Sequence, residues 1–70
     1  MTIKQKVVSA CLQADINQTE LAKRLGMSQQ NFSKRLKVGK FTELELIQIA
    51  KALGCEYHSY FEFSDGTKIE

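Results

Sequence analysis

Apolar residues recur along most of this chain at helical spacing, and change to alternation near its end. Ile3, Val7 and Cys11, joined by Val8 and Leu12, repeat at i, i+4, i+8 and predict a helix from about Ile3 to Gln13. Thr2 stands where it can cap that helix, with Gln5 closing a capping box. Asp15 and Ile16 form a connector, with Ile16 placed to staple onto Leu21. Leu21, Ala22 and Leu25 give one face to a second helix, Gln18 to Leu25, with Asn17 as cap and Glu20 completing a box. Gly26 supplies a left-handed residue to end it. Ser28 then caps a third helix, 29–38, whose apolar stripe is Phe32 and Leu36, and Gly39 stops it. Phe41 is expected to turn into the core. A third box, Thr42 with Glu45, opens a fourth helix from Glu43 to Leu53. Its wide face is Leu44, Leu46, Ile47, Ile49, Ala50 and Leu53, and Gly54 ends it.

After Gly54 the period falls to two. Tyr57, Ser59, Phe61 and Phe63 alternate with His58, Tyr60, Glu62 and Ser64, which predicts one aromatic strand. Ser64-Asp65-Gly66 is the turn. A three-residue loop with Gly66 left-handed pairs Phe63 with Thr67, Glu62 with Lys68 and Phe61 with Ile69. That register sets apolar on apolar and opposite charges together, and is preferred to a two-residue Asp-Gly loop.

The second and third helices with their glycine turn have the helix-turn-helix layout. The outer face of the third helix carries Gln29, Gln30, Asn31, Ser33, Lys34 and Lys37. Amides make bidentate bonds to base edges and cations meet phosphates. Asn31 is a poorer helix former than Glu or Lys, and three adjacent amides in a first turn point to a specific task. Charge strengthens this reading. From Lys23 to Thr42 there are six cations and no acid; from Glu43 to Glu70 there are six acids against two lysines, a net of −4. An anionic partner at the centre of the chain follows, although the overall charge is only +2. Lys34, Lys37 and Lys40 are the candidate phosphate contacts; Arg24 and Arg35 are read as surface packing or distant contacts.

Other chemistry is sparse. The two cysteines, Cys11 and Cys55, make neither a metal set nor a disulfide framework, and are expected as buried reduced thiols. A bridge between them requires the first helix and the segment after the fourth to meet. His58 is a lone histidine on a strand and is expected to lack nearby ligands. Neither cysteine has a recognisable base beside it in sequence and no glycine-rich phosphate loop occurs, so neither an enzyme nor a cofactor or small-molecule ligand is expected. Seventy residues make one small domain that is marginal alone. No apolar run approaches the ~20 residues of a membrane span. MTIKQKVVSACLQAD is too short and too polar in its spacing for a signal peptide, so the expected location is the cytoplasm.

The stretch QTELAKRLGMSQQNFSKRLKVGKF followed by LELIQIAKALG resembles the Cro/repressor (XRE-like) helix-turn-helix family of phage and bacterial transcriptional regulators. The resemblance covers roughly residues 3–54. It rests on Q-x-E-L-A opening the second helix, L-G-x-S at the turn and I-A-K-A-L-G ending the fourth. It implies that Gln18 touches a phosphate beside the recognition helix, and that Ser28 to Asn31 meet phosphate and base edges. Gln29-Gln30 is similar to the glutamine pair with which some lambdoid phage repressors read bases. Two departures stand out. Where many members pair an arginine in the first helix with a glutamate late in the third, this chain has Cys11 and Leu36, apolar together. The loop after the third helix is about two residues shorter than is common in the family.

The expectation is therefore a mainly α protein. Residues 1–54 form a four-helix Cro/repressor-like helix-turn-helix domain, and residues 55–70 a C-terminal β-hairpin that serves for dimerisation. The expected function is sequence-specific binding of double-stranded DNA as a transcriptional regulator. The hairpin aromatics Tyr57, Tyr60, Phe61 and Phe63 are the expected dimer contacts, because a lone two-stranded hairpin leaves an edge in need of a partner. The rival expectation is a protein-interaction module, such as an antitoxin or anti-repressor. The two differ in whether the third helix presents its polar face to solvent.

Overall fold

The computed structural model describes all 70 residues. Four helices, α1 (Ile3–Ala14), α2 (Gln18–Arg24), α3 (Gln29–Val38) and α4 (Glu43–Leu53), precede three short strands, β1 (Glu56–Tyr57), β2 (Phe61–Glu62) and β3 (Lys68–Ile69). None of the helices is long and apolar enough to cross a membrane.

Local signals set the helix ends. Thr2 with Gln5 and Thr42 with Glu45 form complete capping boxes on α1 and α4. Asn17 and Ser28 cap α2 and α3 by accepting from the amides of Glu20 and Asn31. The expected box on α2 is only half formed, because Glu20 turns its carboxylate to Arg24, 3.2 Å away and one turn on. Gly39 and Gly54 close α3 and α4 in the left-handed conformation, at φ 75° and 74°. Asp15 does the same for α1 at φ 57°, as the one non-glycine residue with positive φ. A short polar side chain tolerates that conformation better than most.

The sheet departs from the expected hairpin. The stretch from Tyr57 to Phe63 is not one strand: His58, Ser59 and Tyr60 form a tight turn in which the His58 amide donates to the Tyr60 carbonyl at 2.7 Å. β1 and β2 then pair antiparallel, with Tyr57 opposite Phe61 and Glu56 opposite Glu62. The second hairpin has the register expected from sequence, Phe61 opposite Ile69 and Glu62 opposite Lys68. Gly66 is left-handed at φ 92°, and the Phe63 amide donates to the Thr67 carbonyl at 2.8 Å. The result is a three-stranded antiparallel sheet, ordered β1-β2-β3.

One core joins helices and sheet. Val7, Leu21, Phe32, Ile49 and Phe61 are its largest fully buried side chains. Cys11 and Leu36 are both in it, at 4% and 2% exposure, so neither position strands a charge. Ile16 and Phe41 pack against it as expected. Leu12 and Leu44 do not: they are 77% and 64% exposed, at the outer margins of stripes wider than the face their helices bury.

Candidate nucleic-acid interface

Phe32 and Leu36 fix the roll of α3 by inserting into the core. At roughly 100° per residue, the opposite side of the helix then carries one continuous arc: Gln29, Ser33, Lys37, Gln30, Lys34, Val38 and Asn31. All of them are exposed. Ser28, at the start of α3, accepts from the Asn31 amide at 3.2 Å and keeps its own O–H free to donate outward. The expected contact residues of α3 thus share one surface with no carboxylate on it.

Two depressions flank that surface. Gln18, half-buried at the start of α2, and Gln29, at the start of α3, line a cleft of about 360 Å³ backed by Val8, Leu12 and Ile16. On the other side a groove of about 510 Å³ brings together Asn31, Lys34 and Lys40 with Met27, Arg35 and Val38. Lys37 lines neither and stands on the ridge between.

The cations divide into two sets, a division the sequence does not display. Arg24 donates to the Ala52 carbonyl at the end of α4 at 2.8 Å, in addition to pairing with Glu20. Arg35 pairs with Glu45 of α4, reaches the Lys40 carbonyl at 3.5 Å and lies 5.2 Å over the Phe41 ring. Both arginines therefore tie helices together. Lys23, Lys34, Lys37 and Lys40 take part in no ion pair. Glu20 and Glu45, on either side of the basic stretch, are each held by an arginine. The Glu45 carboxyl titrates below its ordinary value, first because it accepts from the Thr42 amide and then because of Arg35.

The residues expected for dimerisation are differently placed. Phe61 is fully buried in its own chain's core, so it is not available to a partner. Tyr57 meets Phe61 edge-on with ring centroids 5.1 Å apart, and Phe63 packs against the same core. Tyr60 is half-buried beside Lys68, whose ammonium lies 5.2 Å from the ring centre. His58 has carboxylates close by after all. The turn sets its Nε2 3.5 Å from Glu56 and 3.3 Å from Glu62, a surface pair that is ionic when the imidazole is protonated. Nowhere do three or more His, Cys, Asp or Glu side chains form the arrangement of a metal centre. Both cysteines are free. Burial and the neighbouring Cys55 push the Cys11 thiol up to about 11, and burial also raises Cys55, so neither is a ready nucleophile.

No protein-family model, no curated protein and no solved structure matches this chain.

Proposed function

We propose that the chain is a sequence-specific double-stranded DNA-binding transcriptional regulator of the Cro/repressor-like helix-turn-helix type, with α3 in the major groove. The observation that carries this reading is the acid-free arc of α3. It combines the amides of Gln29, Gln30 and Asn31 with the unpaired lysines 34 and 37, on a helix locked in place by Phe32 and Leu36. Gln29 and Gln30, in the first turn, are placed to read base edges; Lys34, Lys37 and Lys40 are placed to meet phosphates. Gln18 shares a cleft with Gln29, which suits a phosphate contact that also orients the base-reading side chain.

A homodimer fits this function, because two recognition helices about 34 Å apart meet successive major grooves on one side of the duplex. With Phe61 committed to the core, the remaining contacts for a second copy are the free sheet edges and the half-buried Tyr57, Tyr60 and Phe63. The protein-interaction reading draws on a different feature, the exposed Leu12 beside the Gln18–Gln29 cleft. Selection of bound sequences from a random duplex pool separates the two. The DNA reading expects enrichment of a motif with half-sites about 10 base pairs apart. No enrichment, together with no duplex binding at low salt, would refute it.

A further inference from the structure

The groove on the Lys40 side of α3 has a composition that phosphate contact alone does not explain. Its charged lining is entirely cationic: Lys34, Arg35 and Lys40. Arg35 is engaged by Glu45, which leaves two free ammonium groups. Beside them lie the exposed amide of Asn31 and two apolar side chains, Met27 and Val38. Val38 is 68% exposed, the largest exposure of any apolar residue on α3, and Met27 is half-buried. A rod-like phosphodiester backbone needs the ammonium groups but gains little from an apolar wall. A small molecule with a flat or apolar body and one strongly anionic end uses both. The volume, about 510 Å³, lies within the range of small-molecule sites.

We infer that this groove binds a small phosphate monoester with an apolar or aromatic body, of mononucleotide size. Lys34 and Lys40 hold the phosphate, Met27 and Val38 cover one side of the body, and the Asn31 amide pairs with a polar edge. Because Lys34 and Asn31 also belong to the DNA-facing arc, the ligand competes with DNA. That regulatory consequence rests on the DNA-binding reading; the binding site does not.

The test is a titration of the full-length, isotope-labelled protein with adenosine 5′-monophosphate, followed by amide chemical shifts. Adenosine and inorganic phosphate serve as separate probes at matched ionic strength. The expected result is saturable shifts confined to Met27, Asn31, Lys34, Val38 and Lys40, with a dissociation constant below about 1 mM and at least about tenfold tighter than either fragment. Val38→Glu, a change at an exposed position, should weaken the nucleotide by at least about tenfold while leaving the remaining spectrum native. Gln29→Ala should leave nucleotide affinity unchanged. Equal shifts from phosphate alone, shifts centred elsewhere, or indifference to Val38→Glu overturns the site. Saturable nucleotide binding that fails to displace bound duplex overturns the competition. A chain that binds the nucleotide but no duplex supports the groove and counts against the DNA reading alone.

Discussion

Lys34 and Arg35 are neighbours in sequence and equal in charge, yet the proposed DNA-binding function assigns them opposite consequences. Lys34 stands on the α3 arc without a carboxylate partner; Arg35 is turned to Glu45 and Phe41. Each lysine that neutralises a phosphate contributes about −0.9 to the slope of log K against log salt. With Lys34, Lys37 and Lys40 all in contact, one protomer has a slope of about −2.7 and loses roughly 40-fold in affinity between 50 and 200 mM salt. A dimer doubles the slope and loses roughly 2,000-fold over the same interval. Lys34→Gln should therefore flatten the slope by about 0.9 per protomer. Arg35→Gln should leave the slope unchanged and instead lower stability, by removing the α3–α4 ion pair. Fluorescence anisotropy of a labelled duplex over a salt series, with urea melts of both variants, reads the two effects separately. An equal loss of slope for Arg35→Gln, or a wild-type slope near zero, would refute the assignment of the lysines to phosphates and of the arginine to the fold.

Three further outcomes follow from the same geometry. Gln29→Ala or Gln30→Ala should cost about 1–3 kcal/mol on the selected duplex and little on random DNA; equal losses on both would remove the base-reading role. Phe61→Ala should cost about 3–5 kcal/mol, about a third or more of the roughly 4–10 kcal/mol expected for a chain of this length, so the urea midpoint should fall sharply if the tail is part of the core. Acid should also weaken the fold. The Glu45 and Asp65 carboxyls titrate below their ordinary values of 4.5 and 3.8, Asp65 because it accepts from Thr67. Their contribution is complete above those values and is lost as pH falls through the lowered folded ones. The thermal midpoint should thus begin to drop as pH falls to those ordinary values and keep dropping below them, and Glu45→Gln should flatten that drop.

The helices were legible because their signals are local. Caps three residues apart, glycines at helix ends and a period of 3.6 lie within a dozen residues of one another, and the four helices fall within a residue of their expected ends. The second hairpin was legible for a similar reason, since one register alone sets Phe61 against Ile69 and Glu62 against Lys68. The first hairpin was hidden by symmetry. Directly opposed residues share a face of a sheet, so Tyr57 and Phe61 point the same way whether the chain runs straight or turns back. The turn between them, His58-Ser59-Tyr60, has only Ser59, the weakest of the residue types that usually mark one. In the candidate site, the order of residues around α3 follows from helix geometry once Phe32 and Leu36 are placed inside. Which cations remain free does not. Arg35 and Glu45 are ten residues apart, and their meeting depends on how α3 docks against α4.

The tail changes from an appendage into part of what holds α3 still. Phe61 and Ile69 join the core that also receives Phe32 and Leu36 of α3, and β1 and β3 lie against α4 and α1. A chain of seventy residues has little apolar surface to bury, and four short helices leave one end of their core uncovered. The sheet closes that end with one large aromatic and spreads its acids over its outer surface, where Glu56, Glu62 and Asp65 lie off the α3 arc. Splitting the aromatic stretch into two strands makes this possible. A straight strand would run on past the helices, whereas a turn at Ser59 brings Phe61 back under Tyr57. The same turn alters the argument for assembly. A third strand satisfies one side of each hairpin within the chain, so a second copy has only the outer edges of β1 and β3 to pair with, two residues each. Edges that short contribute few hydrogen bonds. The proposed dimer on DNA would therefore draw more of its stability from the two half-sites it occupies together than from the sheet. Sedimentation should accordingly find self-association much stronger on a two-site duplex than in free solution.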